Sequence, residues 1–327
     1  MRNGEKNIYA LVGPTASGKT AVSIDLARVL RCEIISVDSR QIYRLLDIGT
    51  AKPRHDQLAA IPHHFISMKN PEETYSAGAF GIDARRTMEE IFSRGNDVLL
   101  VGGSGLYLKA LIDGFFDGHS SNIEVKNNLE KRCELEGLSS LYQELMQIDF
   151  EAAMRIPRQN KNRIIRALEA YYVSGRTITS LQNETLPQPR LDVSIVGLQW
   201  DRKELYARIN DRVDEMMKDG FVDEVRALLK AGYAPSLPSL NTVGYKEVIA
   251  HLNGVITENS MMELIQQHTR NYAKRQLTWF RKDKLIDWID MQSGMMDEEI
   301  WSRIVKSFRS QREIQKSKNL FQRKQHA

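Results

Sequence analysis

The order of apolar and polar positions predicts alternating strands and helices over the first 112 residues. The apolar run Ile8–Val12 predicts a strand, the spacing over residues 18–30 suits a helix packed on a sheet, and residues 33–37 predict a second strand. A helical pattern over residues 77–95 leads to another strand at 97–103. Alternation of this kind is typical of a parallel α/β sheet.

The pattern changes to charged, helical sequence without strand-like runs between residues 120 and 186. A strand candidate follows at 192–200, and helices then dominate at 204–218, 221–231 and 260–282. We therefore predict a helical insertion domain over residues 120–186, within a core built from residues 1–119 and 187–327.

Composition narrows the class of protein. No apolar run approaches the roughly 18 residues of a transmembrane helix, and the first residues lack the regions of a signal peptide. Two cysteines, Cys32 and Cys133, are too few for a disulfide framework, and the seven histidines show no zinc spacing. We expect a cytoplasmic protein that has no contact with membranes and is a monomer.

Charge is distributed unevenly along the chain. The net charge is +4, yet residues 301–327 carry eight basic residues and one acidic residue, so the rest of the chain is slightly acidic. A basic tail is either an electrostatic contact for nucleic acid or a solvated, frayed end. Both interpretations stay open at this point.

The clearest motif is "GPTASGKT" at residues 13–20, directly after the first predicted strand and before a helix. It matches the P-loop pattern, in which backbone N–H groups and a helix N-terminus bind phosphate. Lys19 would neutralise phosphate oxygens, and Thr20 would bind Mg²⁺. The fold class we predict is an α/β, P-loop NTPase-like parallel sheet flanked by helices. The predicted phosphate-binding residues are Gly13, Pro14, Thr15, Ala16, Ser17, Gly18, Lys19 and Thr20.

The chain lacks the metal-binding carboxylate that is typical of motor-type hydrolases. Those enzymes hold the metal with an acid at the end of an apolar strand, but the strand at 97–103 ends in glycines and its Asp97 lies at the opposite end. Two classes of phosphate-binding enzyme remain compatible with the sequence. They are small-molecule kinases and transferases with a diphosphate leaving group. Asp38 ends the second strand and should face the same crevice, as a general base or as the cap of a turn.

Eight sequence blocks then occur in a recognisable order between Ile8 and Trp288. They are "GPTASGKT", "DSRQIYRLLDIGTAKP", "HHF", "YSAGAF", "VGGSGLYLKAL", "RALE", "LNTVGYKE" and "AKRQLTWFRKD". Together they resemble the bacterial tRNA dimethylallyltransferases, the tRNA isopentenyltransferase or IPP transferase family. The chain departs from the family pattern at "IPRQNKNR", where the local turn and its RNA contacts become less defined.

The resemblance implies transfer of a dimethylallyl group from dimethylallyl diphosphate to the N6 amine of the adenosine 3′ to the anticodon. It implies Mg²⁺ as cofactor, on Thr20, and the tRNA anticodon stem-loop as partner. Asp38 is implied as the base, and Ser104, where the family usually has threonine, as a hydroxyl near the reacting centre. Arg212 matches an arginine that reaches the diphosphate, although a solvated charge on a helix face is the alternative.

The resemblance also implies a set of residues that contact tRNA, spread over five segments. The set is Asp38, Ser39, Arg40, Gln41, Ser104, Lys126, Asn162, Arg163, Ile164, Ile165, Arg166, Lys274, Arg275, Trp279 and Arg281. Independently, five basic residues within 155–166 form a stripe suited to phosphate contacts. Trp279 and Phe280 either stack on unpaired bases or belong to the core.

Three other functions compete with this one. An adenylate isopentenyltransferase would share the P-loop and base but act on a free nucleotide, which needs neither the insertion nor the basic aromatic segment around Trp279. A small-molecule kinase would use ATP and has only the P-loop in its favour. A non-catalytic RNA-binding module would leave Lys19, Thr20 and Asp38 without a role.

Overall fold

The computed structural model describes residues 6–114, 122–184 and 189–325. The boundaries predicted for the insertion, at residues 120 and 186, lie outside these ranges. The strands are β1 Ile8–Val12, β2 Cys32–Val37, β3 His63–His64, β4 Asp97–Gly102, β5 Ser194–Trp200 and β6 Asp287–Met291. They form one parallel sheet in the order β3-β2-β4-β1-β5-β6.

Helices connect and cover these strands. They are α1 Lys19–Leu30, α2 His55–Ala60, α3 Ala77–Ser93, α4 Gly105–Asp113, α5 Ile123–Glu136, α6 Leu138–Ile148, α7 Phe150–Arg155, α8 Lys161–Ser174, α9 Ile178–Glu184, α10 Arg202–Lys218, α11 Phe221–Lys230, α12 Tyr245–Leu252, α13 Glu258–Phe280 and α14 Asp297–Gln325. Within the three described ranges, no helix has the length and apolarity that crossing a membrane requires.

The sheet is buried on both faces, which explains its continuous apolar strands. Side chains alternate along β1, so that Ala10 and Val12 face one core while Tyr9 and Leu11 face the other. The first core is closed by α3 and α4, and the second by α1 and α14. The predicted α/β fold with a parallel sheet flanked by helices is confirmed.

Strand register brings the loops that carry the candidate chemistry to one edge of the sheet. Gly102, at the end of β4, is paired with Val37 on one side and with Val12 on the other. The P-loop after β1, Asp38 after β2 and the turn after β4 therefore emerge side by side. Ligands of open parallel sheets bind at this carboxyl edge.

The helices α5–α9 pack around an apolar cluster of their own, which includes Leu129, Leu141 and Leu168. Where the chain leaves for these helices and returns from them, Arg85 on α3 donates to the carbonyls of Leu111, Ile112 and Pro189. This guanidinium thus fastens both ends of the segment to the core. That the segment is a separate domain stays a prediction.

The C-terminal region differs from the sequence-based expectations. Strand β6 was not predicted because Asp287 and Asp290 interrupt its apolar positions. The basic tail begins as α14, whose Ile304 and Phe308 are fully buried against the sheet. Gln311 continues this contact by bonding the N–H and the carbonyl of Ile195 on β5. The interpretation of the tail as a frayed end is therefore wrong for this part of α14.

The buried carboxylate of Glu33 links several elements at the amino edge of the sheet, which is the edge opposite the P-loop. The Glu33 side chain is 5% exposed and accepts two hydrogen bonds from Arg94, at 2.9 and 2.8 Å, with Asn96 and His64 as further partners. The hydrogen bonds from Arg94 contribute most to lowering the pKa of Glu33 to about 2, against the opposing effect of burial. This network links β2, β3 and the end of α3.

Replacing this carboxylate should give a stability loss that depends on pH. Because the pKa of Glu33 in the folded protein lies below the ordinary value of 4.5, its contribution is complete above pH 4.5 and is lost as pH falls toward 2. We expect Glu33→Gln to lower the free energy of unfolding by about 2 kcal/mol at pH 7. Urea unfolding of both proteins from pH 7 to pH 3 measures the difference, which should shrink below pH 4.5.

Glu89→Gln is the matched control, because Glu89 pairs with Lys6 at the surface, where its side chain is 67% exposed. This variant should leave the unfolding free energy nearly unchanged. A difference between wild type and Glu33→Gln that stays constant over the whole pH range would contradict the assignment.

Candidate functional site

The P-loop adopts a backbone that its glycines make possible. Gly13 has φ 151°, and a Cβ there would lie 2.8 Å from the Leu198 carbonyl oxygen. Gly18, with φ 91°, directly precedes α1, so the loop ends at a helix N-terminus. Lys19 and Thr20 form the first turn of α1, and both line the adjoining cavity. The arrangement is that of an anion-binding turn.

Lys19 is held inside the turn that it follows. Its ammonium donates to the carbonyls of Gly13 and Pro14, at 3.0 and 2.6 Å, and to Ser17 Oγ at 3.3 Å. Burial, with a further contribution from the nearby Arg212, lowers the pKa of Lys19 to about 7, whereas Asp38 acts in the opposite direction. A desolvated ammonium beside a second cation is a strong partner for an anion.

Two side chains from the second half of the chain hold the P-loop carbonyls. Arg208 Nε donates to the Ala16 carbonyl at 3.0 Å, and Trp200 Nε1 donates to the Ser17 carbonyl at 3.2 Å. The guanidinium also lies 4.2 Å from the centroid of the Trp200 ring. Ala16 has φ 62°, which is unfavourable for alanine, so these bonds fix a conformation that the loop would not adopt by itself.

A third side chain, that of Gln276, hydrogen-bonds both the P-loop and the turn after β4. Gln276, on α13, accepts a hydrogen bond from the Thr15 N–H and donates one to the Gly103 carbonyl, both at 2.9 Å. No motif in the sequence indicates that Arg208, Trp200 or Gln276 holds the P-loop. The one signal available was the position of Gln276 inside the block "AKRQLTWFRKD".

Asp38 caps the turn that follows β2, and its role as a general base stays a prediction. Its Oδ1 accepts the N–H groups of Arg40 at 2.8 Å and Gln41 at 3.3 Å, which stabilises the turn, and the residue also lines the cavity. The Ser104 N–H donates to the Val37 carbonyl at 3.1 Å, so Ser104 lies beside Asp38. Ser104 borders the cavity through its neighbour Gly103 and does not line it.

The cavity at this edge has a volume of about 420 Å³ and is strongly cationic. Among the described residues that line it, Asp38 is the sole carboxylate, facing five cations. The cations are Lys19, Arg40, Arg212, Lys246 and Arg275. Arg212 interacts electrostatically with Asp38 and lines the cavity, so it is not a solvated charge on an open helix face. Apolar walls complete the cavity, including Ile209, Val213, Met216, Phe221 and Ile265.

The loop that follows Asp38 is fixed by one glutamate that the sequence did not reveal. Glu224 on α11 accepts the N–H groups of residues 47–49 and the hydroxyl of Tyr245, the latter at 2.6 Å. Gln41 closes the same loop by donating to the carbonyls of residues 50 and 51. Hydrogen bonds therefore hold the wall of the cavity next to Asp38 on its outer side.

Four candidate RNA-contacting residues lie on α13 or directly after it. Arg275 lines the cavity, and Lys274 and Arg281 are exposed. The Trp279 side chain is 40% exposed and packs on Gly105, where a Cβ would come within 2.0 Å of the ring. Phe280 is buried in the core instead. The two aromatic residues thus have different environments, and Trp279 presents a face to solvent.

The candidates on α5 and α8 lie away from the cavity. Asn162 and Arg163 are exposed, Lys126 is half-buried, and Arg166 pairs with Glu169 at 2.8 Å. The prediction that Ile164 and Ile165 contact tRNA is wrong for their side chains, which are 0% and 3% exposed. Both belong to the apolar cluster of α5–α9, because they occupy the inward face of α8.

The described residues contain no cluster of three or more histidine, cysteine or acidic side chains that could hold a metal ion. Thr20 offers one oxygen to the cavity, next to the phosphate-binding turn. Mg²⁺ in phosphate-handling sites takes few protein ligands and fills its coordination with phosphate oxygens and water. The residues present fit such an ion.

Comparison with known proteins identifies the family of this chain. A sequence model of the IPP transferase family matches residues 41–283. The tRNA dimethylallyltransferase of Thermomicrobium roseum is 39% identical over 94% of both chains, and that of Anoxybacillus flavithermus is 42% identical over 92% of this chain and 94% of its own. The crystal structure of the tRNA isopentenylpyrophosphate transferase from Bacillus halodurans superposes with a TM-score of 0.69 at 36% identity, over 95% of this chain and 99% of that one.

The hydrogen bond from Arg208 on α10 to the P-loop predicts that substitution of Arg208 weakens anion binding. We expect Arg208→Met to lower the affinity for inorganic diphosphate, in buffer with Mg²⁺, by about 10-fold, because one charge-assisted bond to the Ala16 carbonyl is lost. Isothermal titration calorimetry measures the affinity. Arg202→Met is the control, since Arg202 lies on the same helix but stacks on Tyr206. Equal affinities of the two variants would contradict the role of Arg208.

Proposed function

The chain belongs to the IPP transferase family, and we propose that it transfers a dimethylallyl group from dimethylallyl diphosphate to tRNA. The acceptor is the N6 amine of the adenosine 3′-adjacent to the anticodon, and the products are N6-(dimethylallyl)adenosine and diphosphate. The observation that supports this function most directly is one cavity that joins a phosphate-binding turn to a single carboxylate.

The P-loop side of the cavity suits the leaving group. As the bond between the allylic carbon and oxygen breaks, negative charge grows on the diphosphate. Lys19 and Arg212, both lining the cavity, stabilise that charge, together with the N-terminus of α1. We propose that the Thr20 hydroxyl holds Mg²⁺, which would supply further positive charge at the diphosphate.

The Asp38 side of the cavity suits the acceptor. An aromatic amine is a weak nucleophile, so a carboxylate that accepts the N6 proton as the new carbon–nitrogen bond forms would aid the reaction. The turn through Arg40 and Gln41 holds Asp38 Oδ1 in place. Ser104 lies beside this carboxylate but does not line the cavity, so we propose that it acts by supporting the turn next to Asp38. Apolar walls limit the access of water to the allylic carbon.

The adenine must leave its stack to enter such a cavity, as in other enzymes that modify bases. Ser39, Arg40, Gln41 and Arg275 line the cavity, which supports the proposal that they contact the acceptor and its neighbours. The exposed face of Trp279 can stack on an unpaired base. We propose that the exposed cations of α8, Arg163 above all, contact phosphates farther along the anticodon stem-loop.

Transfer to free AMP is the competing activity, and the family membership and the relatives at about 40% identity do not favour it. A phosphoryl transfer from ATP would leave the cationic acceptor side of the cavity, with Arg40 and Arg275, without a purpose. We also propose that the enzyme acts as a monomer in the cytoplasm.

The proposed role of Asp38 as the base can be tested without disturbing the turn through Arg40 and Gln41. Asp38→Asn keeps an oxygen that accepts the N–H groups of Arg40 and Gln41 but cannot take a proton. We expect kcat to fall by about 10²- to 10⁴-fold, with tRNA affinity nearly unchanged. Radiolabelled dimethylallyl diphosphate, with tRNA or AMP as acceptor, measures transfer, and filter binding measures affinity.

Asp47→Asn serves as control, because Asp47 is 61% exposed and pairs with Lys52 in the same loop. It should keep the wild-type kcat. Normal turnover by Asp38→Asn would refute the base assignment. Label on AMP and none on tRNA with the wild-type enzyme would refute the function itself.

RNA binding through α8 predicts a change in salt dependence. If Arg163 contacts a phosphate, Arg163→Ala should reduce the slope of log affinity against log salt by about 0.8 and weaken tRNA binding. Arg226→Ala removes an exposed arginine that pairs with Asp223 on α11 and should leave the slope unchanged. Affinities between 50 and 200 mM salt, the range in which phosphate contacts dominate, measure both slopes. Identical slopes for the two variants would exclude α8 from the interface.

A further inference from the structure

Gln276 is a buried polar residue on a helix that otherwise buries apolar side chains. It is 6% exposed, and the other buried residues of α13 are Met261, Ile265, Ala273 and Phe280. Its amide makes one hydrogen bond to each of two loops, at Thr15 in the P-loop and at Gly103 after β4. Neither loop belongs to the half of the chain that carries Gln276.

The two bonds have opposite polarity, and only an amide of this length supplies both. Oε1 accepts the Thr15 N–H, and Nε2 donates to the Gly103 carbonyl. The fit is close, because a Cβ on Gly103 would lie 2.1 Å from Nε2 and 3.3 Å from the Gly13 carbonyl oxygen. The P-loop and the turn after β4 therefore touch each other, with Gln276 as the bridge between them.

The two loops that Gln276 joins serve different substrates in the proposed reaction. Thr15 belongs to the turn that binds the leaving group. Gly103 precedes Ser104, whose N–H is bonded to the carbonyl of Val37, the residue before Asp38. A shift between the loops would therefore change the distance between the leaving group and the base that serves the acceptor.

Affinity for the diphosphate rests on other residues. The Thr15 N–H is directed at Gln276, so it is not a donor to the substrate. Arg208 and Trp200 hold the following carbonyls of the loop independently of Gln276. Loss of the bridge should therefore alter the alignment of the two substrates more than the binding of either one.

We propose that Gln276 is a positioning residue that sets the separation between the diphosphate-binding loop and the loop beside Asp38. This inference rests on the proposed function, because it assigns an alignment role within the prenyl transfer. The same bridge ties both loops to α13, the helix that also carries Arg275 and Trp279. The RNA-facing helix and the leaving-group site are thereby joined through one side chain.

The test separates alignment from binding. Gln276→Met keeps the length and volume of the side chain but loses both hydrogen bonds. We expect kcat to fall by about 100-fold, the effect of a misplacement on the order of 1 Å, with KM for both substrates within about threefold of wild type. Gln276→Glu, whose carboxylate can still accept from Thr15 but cannot donate to Gly103, should give an intermediate kcat. Inorganic diphosphate should bind wild type and Gln276→Met equally well.

Gln311→Met is a closely matched control, because Gln311 makes the same pair of bonds, at 2.9 and 3.0 Å, to the backbone of Ile195, away from the cavity. It should lower the thermal midpoint but not kcat. Wild-type kcat in both Gln276 variants, or a loss confined to KM, would overturn the proposal. An inactive wild-type enzyme would instead overturn the proposed function. If Gln276→Met does not fold, as circular dichroism would show, Gln276→Glu alone decides by the same criteria.

Discussion

The backbone of the P-loop is fixed by side chains from the other half of the chain, and the rest of the site depends on this. Ala16 sits in a left-handed conformation that costs on the order of 1 to 3 kcal/mol for a residue with a side chain. The bonds from Arg208 and Trp200 to the carbonyls of Ala16 and Ser17 offset that cost. Because α10 approaches to make one of these bonds, Arg212, one turn later on the same helix, arrives at the cavity as well.

Helices α10 and α13 also determine the charge of the cavity, because they bring Arg212 and Arg275 to its wall. Lys19 and Arg212 repel each other, since the charge of Arg212 lowers the pKa of Lys19. Asp38 relieves part of this repulsion, since it raises the pKa of Lys19 and of Arg212 against the effect of burial. One carboxylate therefore has two effects. It favours the charged forms of Lys19 and Arg212, and it is the one acid that lines the cavity among the residues described.

The sequence predicted the parallel sheet and the place of its site, because both rest on local patterns. The P-loop and Asp38 follow apolar strands directly, and parallel register alone brings them together. The hydrogen bonds to the P-loop escaped prediction because Arg208, Trp200 and Gln276 lie about 180 residues or more from their partners. Glu224 escaped for the same reason, since an acidic residue in the first turn of a helix looks like a response to the helix dipole. The burial of the Ile164 and Ile165 side chains could not be read from the motif, because consecutive residues of α8 point in different directions and only the packing of α5–α9 shows which of them face inward.

Preference for tRNA over a free nucleotide has a physical basis in where the contact surfaces lie. A free nucleotide could reach only the cavity, whereas Trp279 and Arg163 are exposed outside it and could be contacted by a longer acceptor. Binding energy from such remote contacts can be used to hold the reacting amine in place. Trp279 packs directly on Gly105, the first residue of α4 and the neighbour of Ser104. An RNA base that stacks on Trp279 would therefore press on the same turn that lies beside Asp38, so that recognition outside the cavity and alignment within it use connected parts of the structure.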